Sequence, residues 1–285
     1  MSRIIWHALP APGFSLEASL DCGQAFRWTR RGDGYDGILG RAVVRVRQQG
    51  RRLLWTCSDP AVTDATLRRY FALDLPLDDI LSSIDVDWQV HQAIARHRGL
   101  RVLRQDGWEV LASFICASFN NIARIEGMIA RLCRTYGRPV SLDGVAGFAF
   151  PSPEALARAS ERALRRLGLG YRAPYLRATA RRVADGTLDV ERLRSVAYGE
   201  AKAALLSCAG VGDKVADCVA LFGCEQYRAF PVDVWIERAM GYYFRHRRVS
   251  RRALHEYAQR HFGPYAGYAQ QYLYHDIRTA LALRR

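Results

Sequence analysis

The chain has 285 residues, 49% of them hydrophobic, and a formal charge of +14 from 42 basic and 28 acidic side chains. That composition supports a sizeable core in one large domain or two closely packed ones and argues against disorder, while the positive excess favours a polyanionic partner, nucleic acid ahead of an anionic membrane surface. No stretch reaches the length of a membrane span, and Met1 to Leu20 is broken by Pro10, Pro12 and Glu17 where a signal peptide would carry an apolar run, so a soluble, cytosolic protein is expected.

From about Gly34 to Cys57 apolar and polar residues alternate, as in Ala42-Val43-Val44-Arg45-Val46-Arg47, with glycine breaks at Gly34, Gly37, Gly40 and Gly50. This predicts an antiparallel meander. From about Asp85 the period becomes helical: Val86, Trp88, Val90 and Ile94, then Trp108, Leu111, Phe114 and Ile115, then Ile122, Ile125, Met128, Ile129 and Leu132. Gly99, Gly137 and Gly168 stand where helix C-caps belong, and Ser152-Pro153 supplies an N-cap with proline at the first helical position. There is no internal repeat or obvious linker, so the β part, residues 1–104 with a helical extension, and the helical part, 105–285, are expected to share an interface. Seven cysteines, Cys22, Cys57, Cys116, Cys133, Cys208, Cys218 and Cys224, show no C-x-x-C spacing. Reduced thiols are expected, with no metal or organic cofactor.

Glu200 to Ser207 reads as a short helix, followed by Cys208-Ala209-Gly210-Val211-Gly212 and a second helix from Asp213 to about Gly223, which makes a helix-hairpin-helix. Gly210 and Gly212 permit a tight turn with backbone N–H groups turned toward a phosphate, and the second helix aims its positive end the same way. A plain junction between core helices is the alternative. Of the basic residues only Lys202 and Lys214 are lysine. Arginine serves most surface roles but is never a neutral amine, so a chemical role for an amine would resist the replacement that emptied this sequence of lysine. Lys214 lies in the first turn of the second helix, where the dipole and nearby arginines disfavour an ammonium ion and leave a nucleophile. Cys218, four residues on, shares its helical face and either adjoins the amine or fills the core. Further along, Pro231-Val232-Asp233 places a carboxylate at a helix start, both an N-cap and a charge suited to face a cationic sugar.

These residues, a hairpin ending Gly-Val-Gly-Asp-Lys and then Pro-Val-Asp, resemble the helix-hairpin-helix glycosylase superfamily. Gly210 to Cys218 is closely similar to the 8-oxoguanine DNA glycosylase/lyase family of eukaryotic type. The resemblance extends in order through Cys22 to Trp28, Ser113 to Cys133, Leu167 to Arg172 and Gly263 to Gln270, nearly the whole chain. It implies an α+β fold, an N-terminal antiparallel β domain packed on a mainly α-helical helix-hairpin-helix glycosylase domain, with the lesion pocket between them. It also implies a bifunctional DNA glycosylase/AP lyase excising 8-oxoguanine, opposite cytosine, from double-stranded DNA as a monomer, in the nucleoid or nucleus. Lys214 is then the nucleophile and Asp233 its electrostatic partner. The Gly23 carbonyl would accept from N7–H of the lesion, which guanine lacks; Gln270 would read the Watson–Crick edge, and Tyr274 would stack on the flipped ring, with Cys218 also at the base. Tyr171, Arg172 and Arg124 match residues that wedge the duplex and read the orphaned cytosine. Two positions depart from the family: Phe119 stands where asparagine usually fills the vacated stack, and Trp235 where a histidine usually contacts phosphate. The rivals are a water-using alkylpurine glycosylase on the same fold, which needs no lysine at 214, and a non-catalytic hairpin that only grips phosphate.

Overall fold

The computed structural model describes residues 5–241, 243 and 249–282. Five strands, β1 (His7–Pro10), β2 (Trp28–Arg31), β3 (Gly34–Leu39), β4 (Ala42–Gln49) and β5 (Arg52–Cys57), form an antiparallel sheet in the order β1-β5-β4-β3-β2. The last three are the alternating segment, and β1 and β2 extend the sheet on either side. Two-residue loops opening on Gly32, Gly40 and Gly50 join β2 through β5, with φ of +56°, +57° and +57° at those glycines. Only the first loop residue is left-handed, which makes these II′ turns, whose twist suits the strands they connect. One face of the sheet, Val44 and Val46 with Leu53 and Trp55, packs on α1 (Leu16–Asp21) and α2 (Asp64–Tyr70) through Leu16, Leu20 and Leu67.

Residues from α3 (Leu77–Ile84) and α4 (Trp88–Arg96) onward enter a second, larger core. Nine of the eleven residues of α5 (Gly107–Ala117) are buried, so this helix is apolar all round and runs through the middle. After α6 (Ile122–Tyr136) the helical run is interrupted by a hairpin, β6 (Pro139–Leu142) and β7 (Val145–Phe148), that lies beside Ile38 of the sheet. The chain then continues through α7 (Pro153–Arg158), α8 (Glu161–Leu164), α9 (Ala173–Ala184), α10 (Tyr198–Leu206), α11 (Asp213–Gly223), α12 (Val234–Met240), α13 (Arg251–His261) and α14 (Ala266–Ala282). Gly137 is the C-cap of α6, and Ser152 caps α7 by accepting from Ala155 N–H. Gly168 does not cap a helix end: with φ of +94° it kinks the continuous turns that lead from α8 toward α9.

Gln24 is buried where the two parts meet: its carbonyl accepts from Gln105 Nε2 at 2.9 Å, and its side chain holds the β part to itself. Its Nε2 donates to the carbonyls of Ser19 and Arg101, each at 2.8 Å, and its Oε1 accepts from Leu103 N–H at 2.9 Å. From the other side Gln271 Nε2, on α14, donates to the Cys22 carbonyl at 3.2 Å. The loop carrying Gly23 is therefore held by side chains of both parts. Among the described residues no helix is long and apolar enough to cross a membrane, and no group of three or more His, Cys, Asp or Glu side chains is placed to hold a metal ion. All seven cysteines are free.

Candidate active site

The turn between α10 and α11 is built on two glycines with different constraints. Gly210 has φ of +78°, and a Cβ there would meet the Tyr175 ring at 2.4 Å, so both backbone and packing require glycine. Gly212 differs: its φ of −100° suits any residue, and a Cβ would find nothing within 4 Å. Gly212 is also the N-cap of α11 and offers no side-chain cap, so the first N–H groups of the helix face open space. Arg182 braces the turn from α9, donating to the Ser207 carbonyl at 2.9 Å.

Lys214, one residue inside α11, is half-buried with its Nζ 4.9 Å from the centroid of the Phe114 ring on α5. Among the described residues no carboxylate pairs with it within 4.0 Å. The other lysine has the opposite environment: Lys202 Nζ lies 3.1 Å from Asp217 Oδ2 and 3.3 Å from Asp213 Oδ1. Tyr198 OH donates to Asp217 Oδ1 at 2.5 Å, and the His255 ring nitrogen stands 3.4 Å from Oδ2. This cluster fastens the buried face of α11 to α10 and α13. Cys218 is buried beside Lys214; burial pushes its thiol up to about 11, against the pull of the Lys214 charge, so it is a neutral wall at physiological pH. It also feels the carboxylate of Asp233. Asp233 is the N-cap of α12, and one of its oxygens, Oδ1, accepts from Trp235 and Ile236 N–H at 3.0 Å each. Among the described residues no hydrogen bond reaches the second oxygen, Oδ2.

The opposite wall comes from α14 and the Gly23 loop. Gly23 has φ of +82°, and a Cβ on it would stand 2.7 Å from Arg278 Nη1, 3.5 Å from Ile122 Cδ1 and 3.7 Å from Tyr274 Cε1. Gln270 is buried, with Oε1 lacking any hydrogen-bond partner. Burial pushes the Tyr274 hydroxyl up to about 12; the residue also feels Arg278, Asp233 and Cys218. Cys218 thus feels Lys214 and Asp233, Tyr274 feels Asp233 and Cys218 and borders Gly23, and Gln270 stands one turn before Tyr274 on α14, so that six residues from four separate stretches of sequence make up the candidate pocket.

Outside it, on the turn between α5 and α6, Phe119 is 99% exposed and left-handed, with φ of +49°. An L-residue with positive φ is strained, and this one gains no burial from the conformation in return. Tyr171 is exposed beside it, donating to the Ser118 carbonyl at 3.2 Å, with the Arg172 guanidinium 4.4 Å from its ring centroid. Arg172 is buried and directed inward: it donates to the Ser118 carbonyl through Nε at 3.0 Å and also through Nη2. Arg124 is exposed on the first turn of α6.

Two family models together match residues 8–264 of the chain. Residues 8–111 match the 8-oxoguanine DNA glycosylase N-terminal domain, and residues 112–264 match the HhH-GPD superfamily of base excision DNA repair proteins. The N-glycosylase/DNA lyase OGG1 of Arabidopsis thaliana is 34% identical over 283 residues, covering 91% of this chain and 76% of the relative. The chain belongs to the 8-oxoguanine DNA glycosylase family. The N-glycosylase/DNA lyase of Saccharomyces cerevisiae is 35% identical over an alignment of 245 residues that covers 77% of this chain and 65% of that relative. The Clostridium acetobutylicum 8-oxoguanine glycosylase/lyase, solved with double-stranded DNA containing cytosine opposite 8-oxoguanine, superposes with a TM-score of 0.91 at 30% identity over 99% of this chain and 100% of that one.

Within this glycosylase family the two departures acquire surroundings. Phe119 is held out by Arg172 through the carbonyl before it, and Trp235 is half-buried with the Arg238 guanidinium 4.9 Å from its ring centroid. Sequence reasoning missed Phe114 as the floor under Lys214, Ile122 beside Gly23, and Arg278. Of these only Arg278 left a trace, since it continues the four-residue step that joins Gln270 to Tyr274. A separate cleft of about 560 Å³, lined by Phe26, Arg27, Tyr70 and Glu109 among others, lies between the sheet and α5 and contains none of the pocket residues. The Arg27–Glu109 ion pair at 2.9 Å marks it as part of the domain junction.

Proposed function

We propose that this chain is a bifunctional DNA glycosylase/AP lyase that excises 8-oxoguanine from duplex DNA, opposite cytosine, in base excision repair. Phosphates bind the open end of α11 and the Gly210–Gly212 turn, and the damaged nucleotide swings into the pocket. The Gly23 carbonyl accepts N7–H of the lesion, Gln270 meets its Watson–Crick edge, and Tyr274 and Cys218 enclose the ring. Phe119 and Tyr171 fill the vacated stack, while Arg124 and, once released from the Ser118 carbonyl, Arg172 face the orphaned cytosine. The Lys214 amine then attacks C1′ as the bond to the base breaks and its electron pair leaves with the purine. Asp233 stabilises the positive charge on the sugar. The adduct opens to an iminium, a proton leaves C2′, and the C3′–O bond breaks with the phosphate as leaving group. Hydrolysis of the iminium returns the lysine. No metal or organic cofactor enters this reading, and a monomer suffices.

The observation that carries it is a half-buried amine at the mouth of an uncapped helix end, unpaired with any carboxylate among the described residues and sharing its pocket with Cys218 and Asp233. Borohydride should trap a covalent adduct on an 8-oxoguanine:cytosine duplex, and Lys214→Gln should abolish the trap. Base release without trapping would point to water as nucleophile, and binding with neither to a non-catalytic module. Either result overturns the proposal.

A further inference from the structure

Gln270, Tyr274 and Arg278 follow at four-residue steps on α14 and so share one face, each about 6 Å further along the axis. They make a ladder of amide, ring and guanidinium. The Arg278 Cζ lies 5.2 Å from the Tyr274 ring centroid, so the guanidinium packs over the aromatic ring. Its Nη1 borders Gly23, where a Cβ would come within 2.7 Å of it. This Nη1 is buried and has no hydrogen-bond partner, and Gln270 Oε1 is buried and equally unpartnered. No carboxylate pairs with Arg278 among the described residues. One orphan donor and one orphan acceptor thus stand on the same face of α14 without satisfying each other. Leaving such groups dry is unfavourable, more so for a charged donor, a cost that a ligand presenting the complementary groups would offset.

We propose that Arg278 is a further reader of the extruded base, donating through its guanidinium to the oxygen that oxidation installs at C8. The inference rests on the function proposed above and adds a contact to it. Oxidation converts one edge of guanine into an amide, with N7–H a donor and C8=O an acceptor side by side. The Gly23 carbonyl and the neighbouring Arg278 N–H form the matching acceptor and donor. Undamaged guanine offers a C–H at position 8, leaving the Arg278 donor unpaired, and turns its N7 lone pair against the Gly23 carbonyl. The lesion is then read at both atoms that distinguish it, while Gln270 Oε1 is free to accept from the N–H groups of the far edge, which both bases share.

The test is equilibrium binding by the full chain in a Lys214→Gln background, so that no turnover occurs, to 8-oxoguanine:cytosine and guanine:cytosine duplexes of one sequence. Arg278→Met keeps an unbranched stem and removes the donor; it should lower the ratio of the two affinities about tenfold. Arg278→Lys, which restores a donor, should recover most of the ratio. A ratio unchanged within about twofold for Arg278→Met overturns the proposal. So does equal tightening on both duplexes, which would make the guanidinium only an occupant that the base displaces, or equal weakening, which would make it a phosphate contact. Melting temperatures of both variants show whether the pocket is intact. Excision by the wild-type chain is read separately: failure there falls on the function, whereas an unchanged affinity ratio falls on Arg278 alone.

Discussion

Phe119→Asn separates the cost of a strained turn from its use, because the two effects have opposite signs. The native φ of +49° puts an L-residue in a region that costs roughly 1–2 kcal/mol, and asparagine tolerates it better than phenylalanine. The side chain is 99% exposed, so removing it sacrifices no burial in the free protein. The variant should therefore be more stable by about 1 kcal/mol, a rise in Tm of about 2 °C for a chain of this size. Against DNA, an aromatic inserted in the stack is worth about 1–3 kcal/mol, so affinity for a lesion duplex should fall on the order of tenfold. Thermal denaturation measures the first effect. Binding to 8-oxoguanine opposite each of the four bases, in a Lys214→Gln background, measures the second. Asparagine can also hydrogen-bond an orphaned base where phenylalanine cannot, so the preference for cytosine should sharpen as the overall affinity drops. A lower Tm would show that the turn is not strained, and unchanged affinity would show that Phe119 does not enter the duplex.

The two hairpin glycines should respond differently to alanine. Gly210→Ala meets both a positive φ and the Tyr175 ring and should lose roughly 2 kcal/mol or more of stability. Gly212→Ala should leave Tm unchanged or slightly raised yet weaken duplex binding, its methyl group standing where phosphate approaches α11; equal Tm losses in both would refute the distinction. Acid should destabilise the fold through His275, which burial, with the charges of His97 and Arg278, pushes down to about 4 despite the opposing carboxylate of Asp276. An unfolded histidine titrates near 6.5, so as pH falls from about 6.5 to 4 the unfolded state takes a proton that the folded state refuses. Stability should fall over that window by at most about 3 kcal/mol, and His275→Gln should flatten that part of a pH series of denaturation midpoints.

The meander was legible chiefly in β4, where Val44 and Val46 are buried and Arg45 and Arg47 between and beyond them are not, so that burial writes itself into the sequence as alternation; β3 buries Gly34 to Gly37 consecutively and was marked by its glycines instead. The edge strands bury too little to leave that mark: β2 has no fully buried residue and β1 only Leu9. The hairpin β6–β7 has no fully buried residue either, but it did carry a signal, Asp143-Gly144, both left-handed at φ of +42° and +76° as a type I′ turn requires. The scarcity of lysine singled out two residues and was informative about one. Lys214 lies against the Phe114 ring with no carboxylate partner among the described residues, whereas Lys202 is engaged by two carboxylates, a role that scarcity alone does not separate from chemistry.

By itself the sequence determined the class of fold, the position of the hairpin and the chemical kinds of group available, because periodicity, turn residues and functional groups are local properties of the chain. Which groups share a space was decided by tertiary structure. Only packing brings α14 against the Gly23 loop, sets Phe114 beneath Lys214, turns Arg172 inward to the Ser118 carbonyl and leaves Gln270 Oε1 and Arg278 Nη1 buried without partners. Burial and its unmet hydrogen bonds arise from residues far apart in the chain, and no window of neighbouring residues records them.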